Sequence, residues 1–127
     1  MTVPKFDELM FPMLKFLSDK KKHSTKEINE YLINYFKLTP EDKTQRTPNG
    51  AKPLFSSKCD WAKFHLKKAG LITSPKRSIF EISEDGIIFL KSHENSFDRR
   101  TLMSLPSFYE FVEESEYQRQ MKLKNNN

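Results

Sequence analysis

Apolar positions recur with helical spacing over most of the chain and change to strand-like runs at one place. Phe6, Leu9, Met10, Met13, Leu14 and Leu17 predict an amphipathic helix with a broad buried face. Pro12 lies inside that run and removes one backbone donor, so a kink or a late helix start is expected. Asp19-Lys20-Lys21-Lys22-His23 reads as a charged, solvated turn. Ser24 and Glu27 have capping-box spacing, and Ile28, Tyr31, Leu32, Tyr35 and Phe36 supply the core face of a second helix. Thr39-Pro40-Glu41-Asp42 combines a cap residue, a proline at the first helical position and first-turn acids. The helix it starts must be short, because Thr47-Pro48-Asn49-Gly50 reads as a turn.

Over residues 54–69, Phe55, Cys59, Ala62, Leu66 and Ala69 form a buried stripe, and Gly70 stands where a left-handed cap is wanted. The far face carries Ser56, Asp60, Lys63 and Lys67, with Ser57, Phe64 and Lys68 beside them. Two short β-like pieces follow, Leu71-Ile72-Thr73 and Ile79-Phe80-Glu81-Ile82, joined by a basic loop at residues 74–78. Ser83-Glu84-Asp85 caps a further helix carrying Ile87, Ile88 and Leu90. A last amphipathic piece holds Phe97, Leu102, Leu105, Phe108 and Phe111. Leaving out the short helix begun at Thr39, the order is three helices, a hairpin and a helix. The expected fold class is therefore mainly α with a small β-hairpin, a winged helix-turn-helix. Residues 1–111 form the domain, and residues 112–127 form a polar tail, read as a linker or frayed end.

Charge sharpens this picture. Residues 1–50 carry +2, residues 51–80 carry +6 and residues 81–127 carry −3, within a net +5. The excess positive charge thus coincides with the helix at 54–69 and its hairpin, as a phosphate-binding surface requires. A B-DNA major groove about 12 Å wide admits one α-helix, which here presents Lys63 and Lys67 opposite the apolar stripe. On this reading both lysines are exposed and meet phosphates of double-stranded DNA. Ser56, Ser57 and Lys58 are placed at base edges, with Asp60, Phe64 and Lys68 on the same surface. Lys76 and Arg77 on the hairpin tip reach the neighbouring backbone or the minor groove. Trp61 reads as packed rather than base-stacking, His65 as a cover for Trp61, and Cys59 as inert packing.

Composition excludes much else. With one cysteine among 127 residues there is no internal disulfide and no Cys-rich zinc site. Three glycines cannot build a Walker A loop or a dinucleotide fingerprint. No apolar run approaches the ~20 residues that span a bilayer. No signal peptide, nucleophile context or cofactor motif is seen, so a non-catalytic cytoplasmic domain is expected. The alternative is a winged helix used for protein interaction or dimerisation, with residues 97–111 as its sticky surface.

Trp61-Ala62-Lys63-Phe64-His65-Leu66-Lys67-Lys68-Ala69-Gly70-Leu71-Ile72 resembles the W-A-x-x-x-L-K-x-A-G-L-[IL] signature of the N-terminal domain of Mrr-type restriction endonucleases. Pro48-Asn49-Gly50 resembles that family's P-S-G turn, and Ile82-Ser83 with Gly86 and Leu90 resembles its I-T-x-x-G-x-x-x-L. Val3-Pro4, with Leu9-Met10, Pro12 and Leu14, resembles its first helix, and Leu105-Pro106, Phe108 and Phe111 its closing F-P-x-F-x-x-F. The resemblance implies a DNA-recognition module that steers a nuclease to modified, typically methylated, DNA. It also implies a separate C-terminal nuclease domain with a PD-(D/E)-x-K metal site, for which this chain has no counterpart, and that domain or a second copy as further partners. Lys58 stands where the family commonly has Arg, and residues 74–78 lack the glycine often found at the wing tip.

Overall fold

The computed structural model describes residues 4–46, 50, 53–93 and 95–125. Helix α1 (Phe6–Phe16) runs through the middle of the core, with every residue from Leu9 to Leu14 buried. Pro12 sits inside this helix, neither delaying its start nor ending it. A proline buried with its neighbours offsets a lost backbone bond by apolar contact on all sides. A 3₁₀ turn, Leu17–Asp19, ends at Lys20, which takes a left-handed φ of 66°.

Helix α2 (Thr25–Tyr35) starts on the expected box: the Glu27 amide donates to Ser24 Oγ at 3.1 Å, and the Ser24 amide donates to Glu27 Oε1 at 3.2 Å. Helix α3 (Pro40–Thr44) repeats the device with Thr39 and Asp42. The turn expected at Thr47-Pro48-Asn49-Gly50 lies outside the described residues except for Gly50. Helix α4 (Leu54–Lys68) buries the stripe Phe55, Cys59, Ala62, Leu66 and Ala69 against α1 and the sheet. Gly70 closes it at φ 80°, as its spacing requires, and the Leu71 amide bonds back to the Leu66 carbonyl at 3.0 Å.

Strands β2 (Ile72–Lys76) and β3 (Ile79–Ile82) form the antiparallel hairpin. The basic loop expected at residues 74–78 contracts to a tight turn at Arg77 and Ser78, because β2 continues through Pro75. A third strand that the apolar pattern does not announce, β1 (His23–Ser24), pairs with β3 and gives the order β1-β3-β2. Two residues show no alternation, so only the tertiary pairing reveals a strand in what reads as a charged turn. Helix α5 (Glu84–Ser92) follows on Ser83, whose Oγ accepts from the Gly86 amide at 3.0 Å and donates to the Gly70 carbonyl at 2.6 Å.

Helices α6 (Arg99–Leu102) and α7 (Pro106–Asn125) complete the chain. Phe97, Leu102 and Phe108 are buried, with Phe97 edge-on to Phe11 at 6.0 Å and to Phe89 at 4.8 Å. These three residues of the 97–111 segment thus close the core; they are not the exposed sticky surface that the protein-interaction alternative needs. The segment after Val112 also differs from the frayed end read from its polarity. It continues α7, with the side chains of residues 113–124 exposed. Polar composition marks a chain that does not bury itself, which a solvated helix satisfies as well as a coil does. The architecture is a winged helix-turn-helix, mainly helical with one small antiparallel sheet.

Candidate nucleic-acid interface

Burying the α4 stripe turns the opposite face outward, so Ser57, Asp60, Phe64, Lys67 and Lys68 lie on one side of the helix. Lys67 and Lys68 are exposed there. The Lys68 ammonium sits over the rings of Phe64 and Phe111, 5.5 and 5.2 Å from their centroids. Ser56, Ser57 and Lys58 are half-buried in the first turns of α4. Lys76 and Arg77 are exposed at the end of the wing. Hence α4 and the hairpin that directly follows it bring Lys67, Lys68, Lys76 and Arg77 to the surface from the +6 segment.

Lys63 is a correction. Its expected exposure followed from its place opposite the apolar stripe, yet it is only 4% exposed. The wing folds over that flank of α4. The Lys63 ammonium rests 5.4 Å from the centroid of the Phe80 ring and 3.5 Å from Asp60 Oδ1, and it has no hydrogen-bond partner among the described residues. Burial pushes its pKa down, and the Asp60 carboxylate partly opposes that. Between α4 and the wing runs an open cleft of about 300 Å³, bounded by Thr25, Asp60, Lys63, Phe64, Lys67, Ser78 and Phe80. Thr25 enters this wall because β1 carries the start of α2 up to the wing, where the Thr25 amide donates to the Ser78 carbonyl at 2.9 Å. No local sequence signal marks Thr25, since its position depends on β1.

Trp61 is a second correction. It is 52% exposed and not packed away, with its ring nearly parallel to that of Phe64 at 5.4 Å. Phe6 approaches edge-on at 6.4 Å. His65 behaves as expected: it is buried, its Nδ1 lies 2.8 Å from the Trp61 carbonyl, and its ring meets those of Phe6 and Trp61. Burial pushes the His65 pKa down, so at neutral pH the ring is uncharged and its Nδ1–H donates to that carbonyl. Cys59 is fully buried and its thiol is pushed up to about 12 by burial, a packing residue rather than a nucleophile.

Behind the wing, His23 places Nε2 2.8 Å from Asp19 Oδ2 and Nδ1 2.9 Å from Glu27 Oε2. Both ring nitrogens can donate only in the imidazolium form. Burial works against that charge, but the hydrogen bonds to Glu27 and Asp19 outweigh it and the pKa is raised. The cluster braces β1, and through β1 the wing. Among the described residues no group of three or more His, Cys, Asp or Glu side chains is arranged to hold a metal ion. None of their helices is long and apolar enough to cross a membrane.

No curated protein and no solved structure matches the chain. The family model of the Mrr N-terminal domain does match, over residues 6–92, from the first turn of α1 to the end of α5. That span includes α4, the wing and the cleft between them, and the chain belongs to the Mrr N-terminal domain family.

Proposed function

We propose that this domain is the DNA-recognition module of a restriction system, placing α4 in the major groove and the wing on the adjacent backbone. The observation that carries this reading is the surfacing of Lys67, Lys68, Lys76 and Arg77 from one +6 segment, on the helix and hairpin that a winged helix uses for DNA. Ser56, Ser57 and Lys58, near the start of α4, are the residues proposed to approach base edges first, with Asp60 and Phe64 further along the same surface. Family membership supports service to a nuclease and the reading of methylated or otherwise modified DNA. It also supports a non-catalytic role, with cutting left to a nuclease domain outside this chain.

The test is a fluorescence titration of three matched duplexes, unmodified, adenine-methylated and cytosine-methylated, at two salt concentrations. Tighter binding to one modified duplex that persists at higher salt is the expected result. Equal, salt-sensitive binding to all three would remove the modification readout and leave a general DNA-docking domain. No binding to any would refute the reading. Each phosphate neutralised contributes a slope of about −0.9 in log K against log salt, so Lys67→Ala with Arg77→Ala should flatten the slope by roughly 2. Lys63 is not expected to contribute a phosphate contact of this kind, because the wing covers it.

A further inference from the structure

Two surfaces of this chain lie uncovered, and their chemistry is complementary. The first is on α7. Phe108, Phe111 and Val112 turn one side of that helix into the domain, where Phe108 is fully buried. Helical geometry puts Glu110, Glu113, Glu114, Tyr117 and Met121 on the other side, and all five are exposed. Tyr117 is 58% and Met121 38% exposed, one turn apart. Between residues 110 and 121 this face carries three carboxylates and no cation. A helix end without a packed face is only marginally stable in water. The second surface is an open groove of about 490 Å³ between α1 and α5. Buried Phe11 and half-buried Ile87 and Leu90 make its floor, and exposed Lys15, Lys20 and Lys91 stand around it. Among the described residues no carboxylate forms an ion pair with any of these lysines. All three lie outside the +6 segment, and no residue of α4 or the wing lines the groove. An apolar floor gives a phosphate nothing to bind, so the groove suits a partner that is both apolar and acidic.

We propose that the acidic face of α7 seats in the α1–α5 groove of a second copy of this chain, and that the exchange is reciprocal. Two copies then form a closed dimer in which the same contact occurs twice. The mode is an amphipathic helix laid into a hydrophobic groove. Tyr117 and Met121 cover Phe11, Ile87 and Leu90, while Glu110, Glu113 and Glu114 meet Lys15, Lys20 and Lys91 at the rim. Opposite charges select this pairing, and like charges discourage the acidic stretch of one α7 from lying against that of another. Helix α7 is unbroken from Pro106 to Asn125, so its exposed face cannot bend back into its own groove. The contact leaves α4 and the wing uncovered, so it does not rest on the DNA-binding reading.

The experiment is sedimentation equilibrium of the whole chain at rising protein concentration, for the wild type and two charge-reversed variants. One variant is Lys15→Glu with Lys91→Glu, which makes the groove acidic and leaves α7 as it is. The other is Glu113→Lys with Glu114→Lys, which makes the helix face basic and leaves the groove as it is. All four side chains are exposed, so both variants should keep the fold, which far-UV circular dichroism checks. The wild type is expected to reach twice the monomer mass as its concentration rises, and to dissociate as salt is added. Each variant alone sets like charges against each other at both contacts and should dimerise about 10-fold more weakly or worse. An equimolar mixture of the two should dimerise again, because each groove then meets a helix of opposite charge. A wild type that stays monomeric at every concentration would overturn the proposal. So would a lysine-reversed variant that dimerises like the wild type, since its unaltered α7 would then be pairing with another α7. A mixture that stays monomeric would overturn it too.

Discussion

Removing the buried ammonium of Lys63 should stabilise the free domain, whereas removing its partner Asp60 should destabilise it. At 3.5 Å the pair attraction is about 2–5 kcal/mol for an effective dielectric of roughly 20–40. Asp60 is half exposed, so the lower end, about 2 kcal/mol, is appropriate. The cation–π contact with Phe80 adds about 0.5–1 kcal/mol. Against these stands the several kcal/mol needed to take an ammonium out of water without a hydrogen bond. Lys63→Met keeps an apolar stem against Phe80. A gain of about 0–2 kcal/mol is expected, or up to several degrees in Tm. Asp60→Ala strands the cation and should cost about 1–2 kcal/mol. The double variant should lie close to Lys63→Met. Urea melts read at constant m measure all three. Loss of more than about 1 kcal/mol on Lys63→Met, or no loss on Asp60→Ala, would refute the reasoning and mean that the ammonium is satisfied where it lies.

Other consequences can be checked separately. Gly86→Ala should destabilise by about 2–4 kcal/mol, because a Cβ there would stand 2.1 Å from the Leu71 carbonyl oxygen and 2.7 Å from Ile82 Cγ1; an unchanged denaturation midpoint would exclude that close approach. His23 has a raised pKa, so its contribution is complete below its ordinary value near 6.5 and is lost as pH rises through the folded value. Asp19 and Glu27 are held low, Asp19 by the Lys21 amide and His23 against its slight burial, Glu27 by hydrogen bonds from His23 and the Ser24 amide. Their contribution is lost as pH falls through their folded values, so the Tm difference between wild type and His23→Gln should peak at roughly pH 5–6.5 and shrink towards pH 9. Trp61, the sole tryptophan, should emit at the red-shifted wavelength of a solvated indole and be quenched by iodide; a blue-shifted, protected emission would restore the packed reading. Cys59 should resist thiol reagents at pH 8 in the folded state and react fully in urea.

Local signals account for most of what was legible. The α4 stripe and its Gly70 cap, and the boxes at Ser24 and Thr39, depend on spacing within one helix, and each recurs in the structure at the expected residues. A capping hydroxyl and the amide that it serves are three residues apart, so nothing distant is needed to specify them. The charge map is equally local, because α4 and the wing are consecutive in sequence and their lysines cannot be far apart in space.

What the tertiary structure alone decided concerns contacts between distant segments. Lys63 lies opposite the apolar stripe on a helical wheel, but the wheel does not say that Phe80, 17 residues later, will fold over that flank. The exposure of Trp61 is likewise set by α1 and α7, which cover His65 and leave the neighbouring indole half in solvent. Strand β1 exists because β3 offers it hydrogen bonds across more than fifty residues, which no two-residue pattern can encode. The sequence determined most of the helices, though not the continuation of α7 beyond Val112, and where the cations lie. The tertiary structure determined which of those cations reach solvent, because burial is a property of what packs over a residue and not of the residue's own period.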